Sequence, residues 1–485
     1  MNTPLRRLAT VMLSMFLVLM VGTTWVQYEQ APALNNDPRN VRGLYREYGK
    51  DRGPLIVAGQ AIASSQPVQD AFHYQRVYAD GPLYAPLTGA YSVVFQPTGL
   101  EATENSILNG TADSLFLSRL GDLVTGKQPR GSSVELTINP AAQKAAWDAL
   151  GNQTGAVVAI DPTTGAILAM VSKPSYDPNV LAGHDTAAVN AAYQALLADP
   201  GKPLINRAIS GDTYPPGSTF KLVTAAAALE SGLTPDSQIP APTQLQLPQS
   251  TSVLKNFGGE VCSSTGTMTL ADALRISCNT AFAQLGITLG ADALRTQAEA
   301  FGFDKPLDIP MSVTPSRFPA KVDAPQTALS AIGQGSVTVT PLQMAMISAA
   351  IANGGRLMKP YAVATVRDPN LKVISTTAPS VLSTPISAAT ASALQQMMVG
   401  VVDHGTGGAA KIPGVVVAGK TGTAQTVEGA APHAWFTAYA PADGSTPKVA
   451  VAVVVEHGGN LGNEATGGQV AAPIAAAVMK AVLGK

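Results

Sequence analysis

The run LATVMLSMFLVLMVGTTWV, Leu8–Val26, constrains this chain more than any other stretch, because nineteen consecutive residues carry no charge. As a helix rising 1.5 Å per residue it spans about 28 Å, one hydrocarbon core. Arg6 and Arg7 precede it and Glu29 follows, a bias that puts the N-terminus inside and the rest of the chain outside. Trp25 and Tyr28 stand where interfacial aromatics would. The run is longer than an ordinary signal core, so it reads as a retained anchor over residues 8–27 behind a short tail at 1–7. Two readings compete with this: a cleaved signal peptide, for which Ala31-Pro-Ala33 is a weak cleavage-site echo, and a buried core helix.

What lies beyond the anchor is long enough for two or three domains. With 31 Lys and Arg against 32 Asp and Glu, and no long basic run, nucleic acid is not the expected partner. The five histidines (73, 184, 404, 433, 457) show no ligand spacing, so neither a metal nor another cofactor is expected. The two cysteines, Cys262 and Cys278, sit close in sequence and outside the membrane. They are read as a disulfide, with two buried thiols as the alternative.

The texture of the chain changes near Val134. Residues 28–135 are polar and dense in Gly, Pro and Tyr, with extended-looking pieces at 53–59 (GPLIVAG) and 89–95 (GAYSVVF), and read as a small β-rich docking domain. Beyond them, GAVVAIDPTTGAILAMVS (155–172) reads as a hairpin turning on Asp161–Gly165. Helical composition follows at 217–232 and 269–290. Thr340, Pro341 and Gln343 are N-cap, N1 and N3 residues for another helix. Strands at 415–425, 433–440 and 448–456 precede a helix from Ala471 to Leu483. KVAVAVVVEH is apolar on both faces, as a strand covered on both sides would be. The fold class is therefore α+β, a sheet interrupted by a helical region.

Three stretches carry chemistry. In YPPGSTFKLVTAAAALESG (214–232), Pro215, Pro216 and Gly217 cannot continue a helix, so Ser218 falls at a helix N-terminus, where free N–H groups favour developing negative charge. Lys221 follows three residues later on the same face, and a lysine shielded from water can take a serine proton. In ALRISCNTAFAQLG (273–286), Ser277 and Asn279 would point about 200° apart on one continuous helix. Both face a single cleft only if a turn breaks the helix between them. The third stretch is Lys420-Thr421-Gly422. Read from Gly414, GVVVAGKT also satisfies the P-loop pattern, but a phosphate cradle needs a glycine-rich turn, and Val415, Val416 and Val417 form strand instead.

These S-x-x-K, S-x-N and K-T-G elements, in this order, are the set found in class A β-lactamases and penicillin-binding proteins. GAVVAIDPTTGAILAMVSKPSYDPN (155–179), Asn206-Arg207-Ala208, IGQGSVTVTPLQMA (332–345), GKTGTAQ (419–425) and HAWFTAYAP (433–441) resemble a penicillin-binding transpeptidase domain. Upstream, DRGPLI (51–56), RVY (76–78), LTGAYS (87–92) and TGLE (98–101) resemble the N-terminal motifs of class B, monofunctional penicillin-binding proteins of the short type. Asn139 stands where many relatives have Asp, and RVY lacks the Pro that often follows. Roughly 110 residues between anchor and catalytic domain are too few for the glycosyltransferase domain of bifunctional relatives.

The resemblance implies a penicillin-binding, serine β-lactamase-like transpeptidase domain over 136–485, with a central antiparallel sheet, flanking helices and an all-helical lobe. It also implies a non-catalytic dimerisation or docking domain over 28–135. By the same resemblance, Ser218 attacks the penultimate D-Ala carbonyl of a peptidoglycan stem peptide, with Lys221 as general base. Ser277 relays a proton to the leaving nitrogen with help from Lys420, and Asn279 orients Lys221 and the substrate. Thr421 and Thr423, two apart on a strand, reach the terminal carboxylate. Gly422 permits close backbone approach, and the N–H groups of Ser218 and Thr423 form the oxyanion hole. An amine of a neighbouring stem peptide then completes the cross-link. β-Lactam antibiotics acylate Ser218 as mimics, and a membrane glycan polymerase of a division or elongation complex is the implied partner. A D,D-carboxypeptidase or β-lactamase using the same serine is the nearest competing activity, and a non-catalytic scaffold or β-lactam sensor the competing reading from another class. His433, Trp435 and Phe436 read as a strand edge packed near the cleft rather than as catalysts, and 404–408 (HGTGG) as a loop that could shape acceptor binding.

Overall fold

The structure is a computed structural model that describes residues 3–35, 45, 47–115, 130–426 and 429–485. Its first helix, α1 (Thr3–Tyr28), has a mean hydropathy of 1.9 in its most apolar window and none of that window is buried, which removes the core-helix reading. It is long and apolar enough to cross a membrane.

Beyond the anchor the chain builds a six-stranded sheet from β1 (Leu55–Val57), β2 (Gln60–Pro67), β3 (Tyr74–Tyr78), β4 (Ser133–Leu136) and two strands from far downstream, Val363–Arg367 and Val373–Thr376. β4 pairs parallel with β1 on one side and antiparallel with Val363–Arg367 on the other, so this sheet crosses the boundary expected at 135/136. Arg52 and Arg76 both hold the fully buried Glu101, at 2.6 and 2.7 Å. Residues 89–95, expected to be extended, form no strand. Side-chain bonds bend them instead: Tyr91 N–H donates to the Tyr78 hydroxyl at 2.8 Å, Ala90 N–H donates to Thr98 Oγ1 at 3.0 Å, and Gly89 takes a φ of 64° that favours glycine.

The larger part follows the expected order. Asn139 caps α2 (Pro140–Leu150) by accepting from Ala142 N–H at 3.1 Å, a cap rather than a salt bridge. The hairpin β5 (Gly155–Ile160) and β6 (Ile167–Lys173) comes next. The helical lobe carries α3 (Lys221–Glu230), α4 (Leu270–Arg275), α5 (Asn279–Leu289), α6 (Pro341–Ala352) and α7 (Ala388–His404), with small hairpins between them. The chain then returns through β7 (Ala418–Ala424), β8 (His433–Ala440), β9 (Val449–Val455) and α8 (Gly467–Leu483). The antiparallel sheet runs β7-β8-β9-β5-β6, with β7 at its edge. All of β9 is buried, and its residues alternate between two cores: Ala450, Ala452 and Val454 face the side of α6, Val451 and Val453 the side of α8. Helices thus cover both faces, and the uncovered edge β7 is left to face the helical lobe across a cleft.

Candidate active site

Ser218 lies in a single 3-10 turn, Gly217–Phe220, that feeds directly into α3. The turn is seated on its neighbours by backbone. Gly217 has a φ of 53°, donates to Gly333 O at 2.9 Å, and has Thr423 O only 2.8 Å from where a Cβ would stand. Gly422 has a similar need, since a Cβ there would lie 2.9 Å from both Thr219 Cγ2 and Trp435 Cβ. The close approach it permits is therefore between β7 and the turn bearing Ser218.

Lys221, first residue of α3, is fully buried. Its Nζ donates to Ser277 O at 2.6 Å and Asn279 Oδ1 at 2.7 Å and lies 3.3 Å from Ser277 Oγ. Ser277 ends the preceding helical turn in the left-handed region, with a φ of 62°, and Asn279 opens α5. That kink turns both side chains toward Lys221. Lys420, also fully buried, points from β7 to Ser277 Oγ at 2.8 Å and bends back to Thr421 O at 2.9 Å. The Ser277 hydroxyl therefore bridges two lysines that lie 199 positions apart in the chain.

Electrostatics follow from this burial. Desolvation, reinforced by nearby Lys420, holds the Lys221 ammonium well below the ordinary lysine range. Desolvation alone brings Lys420 down to about 7. A neutral Lys221 amine has two protons, and its two short bonds to the Ser277 and Asn279 carbonyl oxygens use both. Its lone pair is left to accept a hydroxyl proton. Among the described residues no hydrogen bond joins Lys221 to Ser218, and such bonds commonly tighten only once a substrate is present.

Ser218, Ser277, Asn279, Thr421, Gly422 and Thr423 line one cleft of about 810 Å³, with Lys221 and Lys420 beneath it. Four further contributors surround these residues; the sequence points to the Cys262–Cys278 bond and to the 404–408 loop, but not to Asn256 or Gly467. Asn256 Oδ1 accepts from both Asn279 N–H and Thr280 N–H at 3.0 Å, capping α5 from a loop more than twenty residues upstream. Cys278, at the N-cap position, makes no cap bond of its own and is disulfide-bonded to Cys262 on that loop. Thr406, in the HGTGG stretch, shares a 2.6 Å bond between its hydroxyl and that of Thr421. Gly467 at the start of α8 has Trp435 O 2.0 Å from its would-be Cβ, which seats that helix against the K-T-G strand.

Known proteins carry the same architecture. Residues 155–480, two thirds of the chain, match the penicillin binding protein transpeptidase domain, and residues 52–134 the penicillin binding protein A dimerisation domain. The chain is a class B penicillin-binding protein. Peptidoglycan D,D-transpeptidase PbpA of Mycolicibacterium smegmatis is 46% identical over 492 residues, covering 100% of this chain and 99% of that one. The protein of the same name from Mycobacterium tuberculosis is also 46% identical. Among solved structures, penicillin-binding protein A from M. tuberculosis as its ceftriaxone acyl-enzyme superposes with a TM-score of 0.87 at 46% identity, covering 90% of this chain and all of that one. Its penicillin G acyl-enzyme superposes at 0.84. As a penicillin-binding protein the chain is a serine acyltransferase in which the cleft between β7 and the helical lobe holds the S-x-x-K, S-x-N and K-T-G residues together.

Proposed function

We propose that this penicillin-binding protein cross-links peptidoglycan stem peptides through an acyl-enzyme on Ser218, and that β-lactams acylate the same serine. One observation carries the reading: two buried lysines of depressed basicity, Lys221 and Lys420, share the Ser277 hydroxyl in the cleft that Ser218 also lines. Lys221 accepts the Ser218 proton as Oγ bonds to the penultimate D-Ala carbonyl carbon. The N–H groups of Ser218 and Thr423 receive the oxyanion; losing one such donor costs about a hundred- to a thousandfold in comparable enzymes. The C–N bond to the terminal D-Ala then breaks as Ser277 passes a proton to its nitrogen and takes back from Lys221 the one that Lys221 accepted from Ser218, while Lys420 orients the Ser277 hydroxyl. An acceptor amine attacks the ester, gives its proton to Lys221, and restores the Ser218 hydroxyl. Asn279 fixes Lys221, while Thr421 and Thr423, with Lys420 charged, hold the substrate carboxylate.

In this reading residues 1–7 are cytoplasmic, 8–27 anchor the chain, 28–135 dock or dimerise, and 136–485 act outside the membrane, with a membrane glycan polymerase as partner. The fit of an uncovered apolar α1 to a bilayer supports the anchor, and the Arg6–Arg7 bias supports its direction. The test is to incubate the full chain in detergent with stem-peptide donors ending in D-Ala-D-Ala and an amine acceptor. Dimeric muropeptide with release of one D-Ala per bond is expected. Shortened monomers alone would mean carboxypeptidase activity, and no turnover of donor would mean a scaffold.

A further inference from the structure

Behind the nucleophile turn, outside the cleft lining, two residues of the segment leading to Ser218 meet on a single distant carboxylate. Glu456, at the end of β9, accepts from Arg207 Nε at 2.8 Å and from the Tyr214 hydroxyl at 2.7 Å, both on Oε1. The Arg207 and Glu456 side chains are 7% and 15% exposed, so this pair is largely withdrawn from water. Two more guanidinium protons of Arg207 go to backbone, Gly201 O at 2.7 Å and Lys202 O at 3.2 Å. Burial and the Glu456 charge both push the Tyr214 phenol up, so it stays a donor.

Tyr214 opens the segment that ends at Ser218. Its backbone is bridged to Val339, its ring stands edge-on to His433 and Trp435 at 5.4 and 6.0 Å, and the next residue, Pro215, accepts from the Trp435 indole at 3.1 Å. His433 completes the wall. Its Nδ1 accepts from His457 N–H at 3.1 Å, and burial, with His457 nearby, brings it down to about 4, so it stays neutral beside Glu456. Tyr214, Pro215 and Gly217 are thus fastened to the sheet or to the 333–339 segment, and Glu456 is the only charged group in that fastening that binds Tyr214 directly, among the described residues.

We propose that Glu456 is a positioning residue for acylation: with Arg207 fixing its carboxylate, it locks Tyr214 and so sets where Ser218 Oγ meets the substrate carbonyl. The inference rests on Ser218 being the nucleophile. It explains why Arg207, Tyr214 and Trp435, which lie outside the three motifs, gather at the segment leading to the motif serine. A misplacement of about 1 Å at a reacting atom costs roughly a hundredfold in rate.

The test is stopped-flow acylation of the full chain by a fluorescent penicillin over a range of concentrations, which separates the limiting acylation rate from the dissociation constant of the non-covalent complex. Active sites are counted by burst amplitude. Tyr214→Phe and Glu456→Ala are expected to lower the limiting rate about tenfold or more. The dissociation constant should stay within about threefold and the active-site count should not change. Glu456→Gln, which keeps an oxygen acceptor in place, is expected to recover most of the rate. Limiting rates within threefold of wild type, or a loss confined to the dissociation constant or to the active-site count, overturn the inference. If Glu456→Ala does not fold, Tyr214→Phe, which leaves the Arg207–Glu456 pair intact, decides alone. Labelling that persists in Ser218→Ala would instead overturn the assignment of the nucleophile.

Discussion

Replacing Asn256 with Ala tests how the S-x-N motif is held. The Asn256 side chain, 8% exposed, accepts from the first two amides of α5 and donates to Glu260 O at 3.0 Å, so one amide group both caps the helix and closes its own loop. Losing a helix cap costs about 0.5–2 kcal/mol. Leaving a buried donor without a partner costs about 1–3 kcal/mol. Water from the adjacent cleft will satisfy part of the loss, so Asn256→Ala should cost roughly 2–4 kcal/mol. At about 2–4 °C per kcal/mol for a domain of this order, the melting transition should fall by roughly 4–16 °C in calorimetry. Because the freed amide belongs to Asn279, whose Oδ1 orients Lys221, penicillin acylation should slow by about tenfold, near 1.4 kcal/mol. Asn256→Asp keeps the accepting oxygen and should recover most of both losses. A melting point within 1 °C of wild type together with a wild-type acylation rate in Asn256→Ala would show that α5 does not depend on this cap.

Other consequences follow from the same geometry. Reducing the Cys262–Cys278 bond, or Cys262→Ala, should loosen the loop carrying Asn256 and lower both melting temperature and acylation rate; unchanged values in both assays would refute the tether. Glu101→Ala strands two buried guanidinium groups and should cost about 3–5 kcal/mol in denaturant unfolding, with a loss under 1 kcal/mol as the contrary result. Lys420 is lowered to about 7 in the folded chain and Lys221 is held well below the ordinary lysine range, while both return to the ordinary value near 10.5 on unfolding. Between pH 7 and 9 the unfolded chain therefore binds more protons, so stability should rise with pH in that window, by up to about 1.4 kcal/mol per unit for each lysine. Lys420→Met should flatten that rise, and an unaltered slope would mean Lys420 is not titrating there. Acylation itself should fall as pH rises through about 7 if charged Lys420 holds the carboxylate, a limb that Lys420→Met should abolish.

Local patterns carried much of this structure. The hairpin at 155–173, the cap at Thr340 and the doubly covered β9 were each readable because periodicity and turn chemistry act within a few residues. The three motif segments were legible only as an ordered set that resembles a known family, since each alone reads as an ordinary cap, turn or strand. What the sequence hid was long-range. The downstream strand Val363–Arg367 joins β4, and nothing in either segment announces the other. GAYSVVF at 89–95 alternates like a strand, yet the Tyr78 hydroxyl and Thr98 capture its amides first. Period two places Lys420 opposite Thr421, but the flexible Lys420 side chain bends back to Thr421 O and Ser277 Oγ, a geometry no spacing rule contains. Asn256 and Glu456 look like ordinary polar residues until folding brings distant amides and a guanidinium to them.

The central claim is that Ser218 is the acylated nucleophile of this cleft. Intact-mass spectrometry of the full chain after exposure to penicillin G, with peptide mapping of the adduct, tests it most directly. One stable penicilloyl group on the peptide bearing Ser218, absent from Ser218→Ala, is the predicted result. An adduct on another residue, an adduct that survives in Ser218→Ala, or antibiotic hydrolysed with no adduct accumulating would contradict it.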